Sequence, residues 1–258
     1  MSEKAVLNNV EKEKRFKYPD VNQLYFDRAM KTTVAEGELW GTTVCGRRGE
    51  EQVIAFRFGE SGPAPEVVRG PKGVVYKPVI LPGPDGPLLY WSEAFGPEAG
   101  TKRWTIRRAC IDVQSMRIGE PETIHECSGA VYALSAAHSL ASAPDSPCHY
   151  LAWTEIEEHA VTLTAAVTAV NSPSDSGKRP TVLFSRTGGF SFRPDIAVGD
   201  TKALLVCDTY RDGRYELDLF NLHGSSDRES DAPVVVLSSS KRPGREDEDW
   251  NHPKITAF

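Results

Sequence analysis

Three times in this chain a short apolar run ends in an acid, passes through a polar turn and resumes as a strand-like segment; this recurrence restricts the fold more than any single motif does. The copies are "LLYWSEAF" followed by "RWTIRRACI", "YLAWTEIEEH" followed by "AVTLTAAV", and "LLVCDTYRDGRYELDLFNL". The acids closing the apolar runs are Glu93, Glu155 and Asp208, separated by 62 and 53 residues. In the third copy Tyr215, Leu217 and Leu219 alternate with Glu216 and Asp218, the period of a half-buried strand. Asp212-Gly213 is a dipeptide favoured in tight hairpin turns because glycine accepts positive φ. The segment therefore reads as a β-hairpin.

Two further phrases keep the same order. "YKPVILP", "VYALSAA", "FRPDIAV" and the final "NHPKITAF" precede the hairpins, with Pro78, Ala133, Pro194 and Pro253 spaced by 55, 61 and 59 residues. "GEPETIHE", "RPTVLFS" and "APVVVLSS" follow them. One period thus holds four short strands and no convincing helix. Such a unit cannot bury both of its faces alone and has to stack on its neighbours, which is the logic of propeller blades. A β-sandwich also supplies many short strands, but it does not require the matching order of phrases.

The expected fold is all-β, a propeller of about four four-stranded blades at 33–70, 76–127, 131–185 and 192–239, after a charged arm at 1–20 and within a domain spanning 21–258. The first blade shows three clear strands. The C-terminal strand, 252–258, is expected to complete it and close the ring, which removes exposed sheet edges. The alternative is a piece of a larger propeller, with an oligomer completing the ring.

The quoted phrases, above all "RPDIAVGDTKALLVCDTYRDGRYELDLFNL", resemble propellers of the TolB-like and sialidase-like superfamilies. The likeness extends as a repeat pattern over 76–258. "SRTGGFSF" matches the sialidase Asp-box at Ser185 and Gly189, and loosely at Ser191 and Phe192, with Thr187 where the aspartate belongs. The resemblance implies a propeller fold, and such propellers include enzymes, peptidase gating domains and binding platforms.

Composition removes several function classes. A net charge of −6 over 258 residues leaves no basic face for phosphate neutralisation, so no nucleic-acid partner is expected. No stretch approaches about 18 consecutive apolar residues and the start lacks a signal-like apolar segment, so the reading is cytoplasmic, with no membrane partner. The five cysteines form no C-x-x-C pair and no Cys/His cluster at zinc spacing, so neither metal nor cofactor is expected. No phosphate loop, H-E-x-x-H or G-x-S-x-G motif occurs.

Propeller geometry puts the turn between second and third strands on the same face as the link into the next inner strand. Glu93, Glu155 and Asp208 then belong to one mouth with Lys77, Arg193 and His252, which stand just before their inner strands. Such a ring could bind a polar ligand, or work as general acid and base on a glycan. Equally, strand-end acids cap turns, and bases at such positions are solvated or ion-paired. Tyr210 and Arg211 at the hairpin turn add a possible recognition pair. Trp91 and Trp153 share a strand face with their acids, as sugar platforms or as packing between blades.

The leading expectation is a non-enzymatic binding or scaffold module engaging a protein partner or a polar or glycan ligand at the mouth-side loops. Alternatives are a carbohydrate-active hydrolase or lyase using paired carboxylates, and part of a split propeller completed by another subunit.

Overall fold

A computed structural model describes residues 31–35, 37–47, 50–58, 66–95, 103–139, 148–157, 160–170, 179–188, 190–199, 202–211, 214–222 and 235–238. All regular structure among them is β. The first sheet is β1 (Lys31–Ala35), β2 (Glu38–Arg47), β3 (Glu50–Phe58) and the first half of β4 (Glu66–Leu81). The second half of β4 opens the next sheet, continued by β5 (Leu88–Phe95) and β6 (Arg103–Asp112). There the short β7 (Arg117–Ile118) flanks one end of β6, and β8 (Glu122–Cys127) pairs along the rest. The third sheet is β9 (Ala130–His138), β10 (Cys148–Glu157), β11 (Ala160–Ala169) and β12 (Thr181–Thr187). The fourth is β13 (Phe190–Val198), β14 (Ala203–Arg211), β15 (Arg214–Asn221) and β16 (Val235–Ser238).

These four antiparallel sheets are the blades of a four-bladed β-propeller. Three apolar layers separate successive blades. Trp40, Val53 and Val68 of the first meet Leu89, Trp91 and Ile111 of the second. Tyr90 and Ile106 of the second meet Leu151 and Trp153 of the third. Ala152 and Leu163 of the third meet Ile196, Leu205 and Phe220 of the fourth.

Covering both faces explains why the second strand of a blade reads as an unbroken apolar run. In β5 the five residues Leu88 to Ser92 are all buried, and in β10 the seven residues His149 to Glu155 are. The outer β12, by contrast, is largely exposed, its Val182 and Leu183 included.

The second, third and fourth blades run from the second half of β4 to β8, from β9 to β12 and from β13 to β16. The "RDGR" hairpin is present: β14 and β15 pair from Leu204↔Asn221 to Arg211↔Arg214, leaving Asp212-Gly213 between them. In the first blade, β1 is a fourth strand that phrase matching did not pick out, because "KTTVA" is short and mostly polar. The expected arm at 1–20 and closing strand at 252–258 lie outside the described residues.

The inner strands β4, β9 and β13 pack side by side around the centre. Asp195 on β13 accepts a hydrogen bond from Ser135 Oγ on β9 at 2.7 Å and stands 4.0 Å from Lys31 Nζ on β1, so one carboxylate joins three blades. Among the described residues no helix is long and apolar enough to cross a membrane.

Candidate functional site

At the end of the propeller where second strands finish and inner strands begin, each of the last three inner strands carries one residue too many for its partner. In the second blade Tyr76↔Ser92 and Val79↔Tyr90 leave Lys77 and Pro78 opposite Trp91 alone. In the third, Val131↔Glu155 and Ala133↔Thr154 leave Tyr132 unopposed. In the fourth, Ser191↔Thr209 and Pro194↔Cys207 leave Phe192 and Arg193 opposite Asp208. These are β-bulges, which bend a strand and re-aim a side chain. Proline fits at a bulge on an inner strand because the bulge does not need its missing N–H. Lys77 sits at φ 51°, a left-handed conformation that costs a lysine energy and is held by the strand pairing on both sides.

Lys77 and Arg193, expected at the mouth, therefore stand on bulges. Tyr132, which the sequence reading missed, stands on the third. Its signal was available: it precedes Ala133 as Lys77 precedes Pro78 and Arg193 precedes Pro194. Tyr132 is 40% exposed, and its hydroxyl lies 3.2 Å from Arg193 Nη2, which donates to it across the boundary between third and fourth blades. The backbones of Tyr210 and Arg211 lie in the hairpin, Tyr210 paired with both β13 and β15 and Arg211 with β15. His252 lies outside the described residues.

Each of the three acids has partners within its own blade or seam. Asp208 is buried, and its Oδ1 accepts the backbone N–H of Arg193 at 2.7 Å, so it fastens the bulge in its own blade. Glu155 is buried at the seam between second and third blades. Its Oε2 accepts Ser128 N at 2.8 Å, Ser128 Oγ at 3.1 Å and Gly129 N at 3.3 Å, and its Oε1 accepts Trp153 Nε1 at 2.7 Å. His125 Nε2 lies 3.3 Å from the same Oε1. Burial by itself would raise the Glu155 pKa, but hydrogen bonds from His125, Trp153, Gly129 and Ser128 outweigh it and pull it down to about 2. Glu93 is held more lightly, by Trp91 Nε1 at 3.3 Å and by the Arg107 guanidinium at 4.0 Å.

Both indoles are packing elements: Trp91 and Trp153 are 0% and 1% exposed, inside the first and second inter-blade layers.

The seam also assembles a grouping that linear spacing did not display. One ligand-type atom each from His125, Cys127 and Glu155 lie within 4.8 Å of one another. His125 and Cys127 are two apart on β8 and Glu155 is on β10 of the next blade, so only stacking of the blades unites them. Burial, and after it the charge of Glu155, push the Cys127 thiol well above the ordinary thiol range, against a lowering hydrogen bond with the Ile106 backbone. It is a protonated thiol at neutral pH, not a poised nucleophile.

No family model matches this sequence, and no curated protein matches it. Solved structures do match in shape. An exo-1,5-α-L-arabinanase from a bovine ruminal metagenomic library is 11% identical, with a TM-score of 0.44, over 82% of this chain and 77% of the other. An α-L-arabinanase of Cellvibrio cellulosa, complexed with arabinohexaose, is 11% identical with a TM-score of 0.41, over 92% and 82% of the two chains. Drosophila plexin A in complex with semaphorin 1b is 8% identical with a TM-score of 0.41, over 81% of this chain and 56% of that one. The first two are named as arabinanases and the third as a protein complex, and at these identities and scores none carries an argument about activity here.

Proposed function

We propose that this propeller is a non-catalytic binding module, and that the ligand it takes at the mouth presents carboxylates. The observation that carries the reading is the division of labour between acids and bulges. Glu155 and Asp208 fasten backbone, while the bulges of three successive inner strands carry Lys77, the exposed Tyr132 and Arg193, the last two in contact with each other. Arg and Tyr together suit such a ligand, since a guanidinium forks onto a carboxylate and a phenol adds apolar area with a polar tip. A glycoside hydrolase needs one of two carboxyl groups protonated at working pH. Glu155, ionised down to about pH 2, is unsuited to be that acid.

The test is an array of acidic and neutral oligosaccharides run beside a set of acidic peptides, with reducing-end release assayed on the same glycans. The expected result is retention of an acidic probe, weakened about tenfold or more by Arg193→Ala and by Tyr132→Ala, with no release of reducing ends. Reducing ends released by the wild-type chain and lost in Glu93→Gln would overturn it in favour of hydrolysis. Retention unchanged by both mouth substitutions would overturn the placement of the site.

A further inference from the structure

Beyond that reading, we infer that His125, Cys127 and Glu155 form a three-ligand site for a divalent cation of the zinc class. The donor set is imidazole nitrogen, thiol sulfur and carboxylate oxygen, which suits a borderline-soft ion and not calcium or magnesium. His125 and Cys127 alternate on β8 and so point the same way, toward the third blade, where the imidazole packs on Trp153 with ring centres 4.9 Å apart.

The spacing is close to what coordination requires. Tetrahedral zinc with bonds of about 2.0–2.3 Å sets its ligand atoms about 3.3–3.8 Å apart. His125 Nε2 and Glu155 Oε1 are already 3.3 Å apart, and all three ligand atoms fall within 4.8 Å. A contraction of about 1 Å, well within the reach of one χ rotation at a half-buried cysteine, completes the triangle.

The surroundings hold the carboxylate as outer partners of a metal ligand do. Ser128 and Gly129 fix Glu155 Oε2 from behind, and the Trp153 indole N–H orients Oε1, which is the oxygen nearest the imidazole. A cation here displaces the Cys127 thiol proton to solvent and the hydrogen between His125 Nε2 and Glu155 Oε1, and its charge offsets the repulsion between the resulting thiolate and the carboxylate. Three protein ligands leave a fourth position for water or for a group of a bound ligand.

Cobalt(II) is the probe, because thiolate ligation gives it a near-ultraviolet sulfur-to-metal absorption that oxygen and nitrogen ligands do not. The expected result is saturation at one cobalt per chain, displacement by zinc, loss of the band in Cys127→Ser and its retention in Cys110→Ser. His125→Gln is expected to weaken zinc at least tenfold. In the wild-type chain, zinc should also protect Cys127 selectively from alkylation, read by peptide mass; this measurement needs no variant to fold. Absence of the band, its persistence in Cys127→Ser, or alkylation of Cys127 at the same rate with and without zinc would overturn the site. None of these readouts depends on the mouth ligand, so failure here and failure of the binding proposal are separate results.

Discussion

Trp91-Ser92-Glu93 and Trp153-Thr154-Glu155 are the same local pattern at the same place in successive blades, yet the two acids live differently. Each glutamate pairs with a valine, Val75 and Val131, and each valine follows a glycine by two residues, Gly73 and Gly129. Each tryptophan donates to its own acid. The difference lies in what the preceding blade brings. In the second blade, β4 runs on from one sheet to the next, and a Cβ on Gly73 would meet only Glu93 Oε1 at 4.0 Å. In the third, a turn at Ser128-Gly129 folds onto the end of β10, where a Cβ on Gly129 would lie 2.5 Å from Ile156 O. The turn delivers two N–H groups and a hydroxyl to Glu155. The lesson is that a repeated strand motif fixes where an acid stands, and the link between blades decides what it does.

The comparison can be pressed experimentally, beginning with the largest effect. Trp153→Ala and Trp91→Ala should each cost about 3–5 kcal/mol of unfolding free energy, since both remove a fully buried indole. Denaturant melts are expected to place Trp153→Ala at the upper end, because it also strips a donor from a buried carboxylate. Equal losses would show that the hydrogen bond to Glu155 adds nothing to packing.

Next comes the pair of glycines. Gly129→Ala should destabilise by about 1–3 kcal/mol or more, because the new methyl meets backbone that has no room to give. Gly73→Ala should stay within about 1 kcal/mol of wild type, and a small gain from the stiffer unfolded chain is compatible with the open space there. Thermal melts that rank the two in the reverse order would break the contrast between the two links.

The acids follow. Glu155→Gln puts an amide among donors that all need an acceptor, and should cost about 1–3 kcal/mol. Glu93→Gln should cost less than about 1 kcal/mol, as expected for a lightly held, partly exposed group.

The pH dependence tests the same seam in the wild-type chain. Glu155 has a folded pKa of about 2 against an ordinary 4.5, so the unfolded chain binds its proton first and stability falls as pH drops from 4.5 toward 2. His149 is shifted down to about 3 from 6.5, mainly by burial and then by the charge of neighbouring His138, against an opposing hydrogen bond to Pro82 O. It is neutral when folded: Nε2 donates to Pro82 O at 2.8 Å and Nδ1 accepts Tyr90 Oη–H at 2.7 Å. The unfolded chain again binds the proton first, so this contribution is complete above pH 6.5 and erodes as pH falls from 6.5 toward 3. Melting temperature against pH should therefore decline in two overlapping stages, and Glu155→Gln should flatten only the more acidic one. A flat profile down to pH 4 would contradict the buried neutral imidazole.

The architecture was legible because its cause is written along the chain. Strands covered on both faces have to be apolar throughout, and polar turns must separate them, so "LLYW", "YLAW" and "ALLV" announce blade interiors in order. Pro78 and Pro194, read from the sequence only as equivalent repeat positions, fall at bulges for a reason confined to the residue itself, the missing N–H. The polar β1 left no such trace, because a five-residue strand at the centre is chosen by its neighbours.

The site followed the same divide. Sequence by itself determined that Glu93, Glu155 and Asp208 close apolar runs, but the strands continue past them to Phe95, Glu157 and Arg211, and Lys77 and Arg193, expected just before the inner strands, lie within β4 and β13. Only the stacking of blades decided that Glu155 serves a turn from the blade before it, that Tyr132 meets Arg193, and that His125 and Cys127 face Glu155. Strand periodicity and turn chemistry act between residues near in the chain, whereas these contacts cross seams between units, where nothing local fixes which side chains meet.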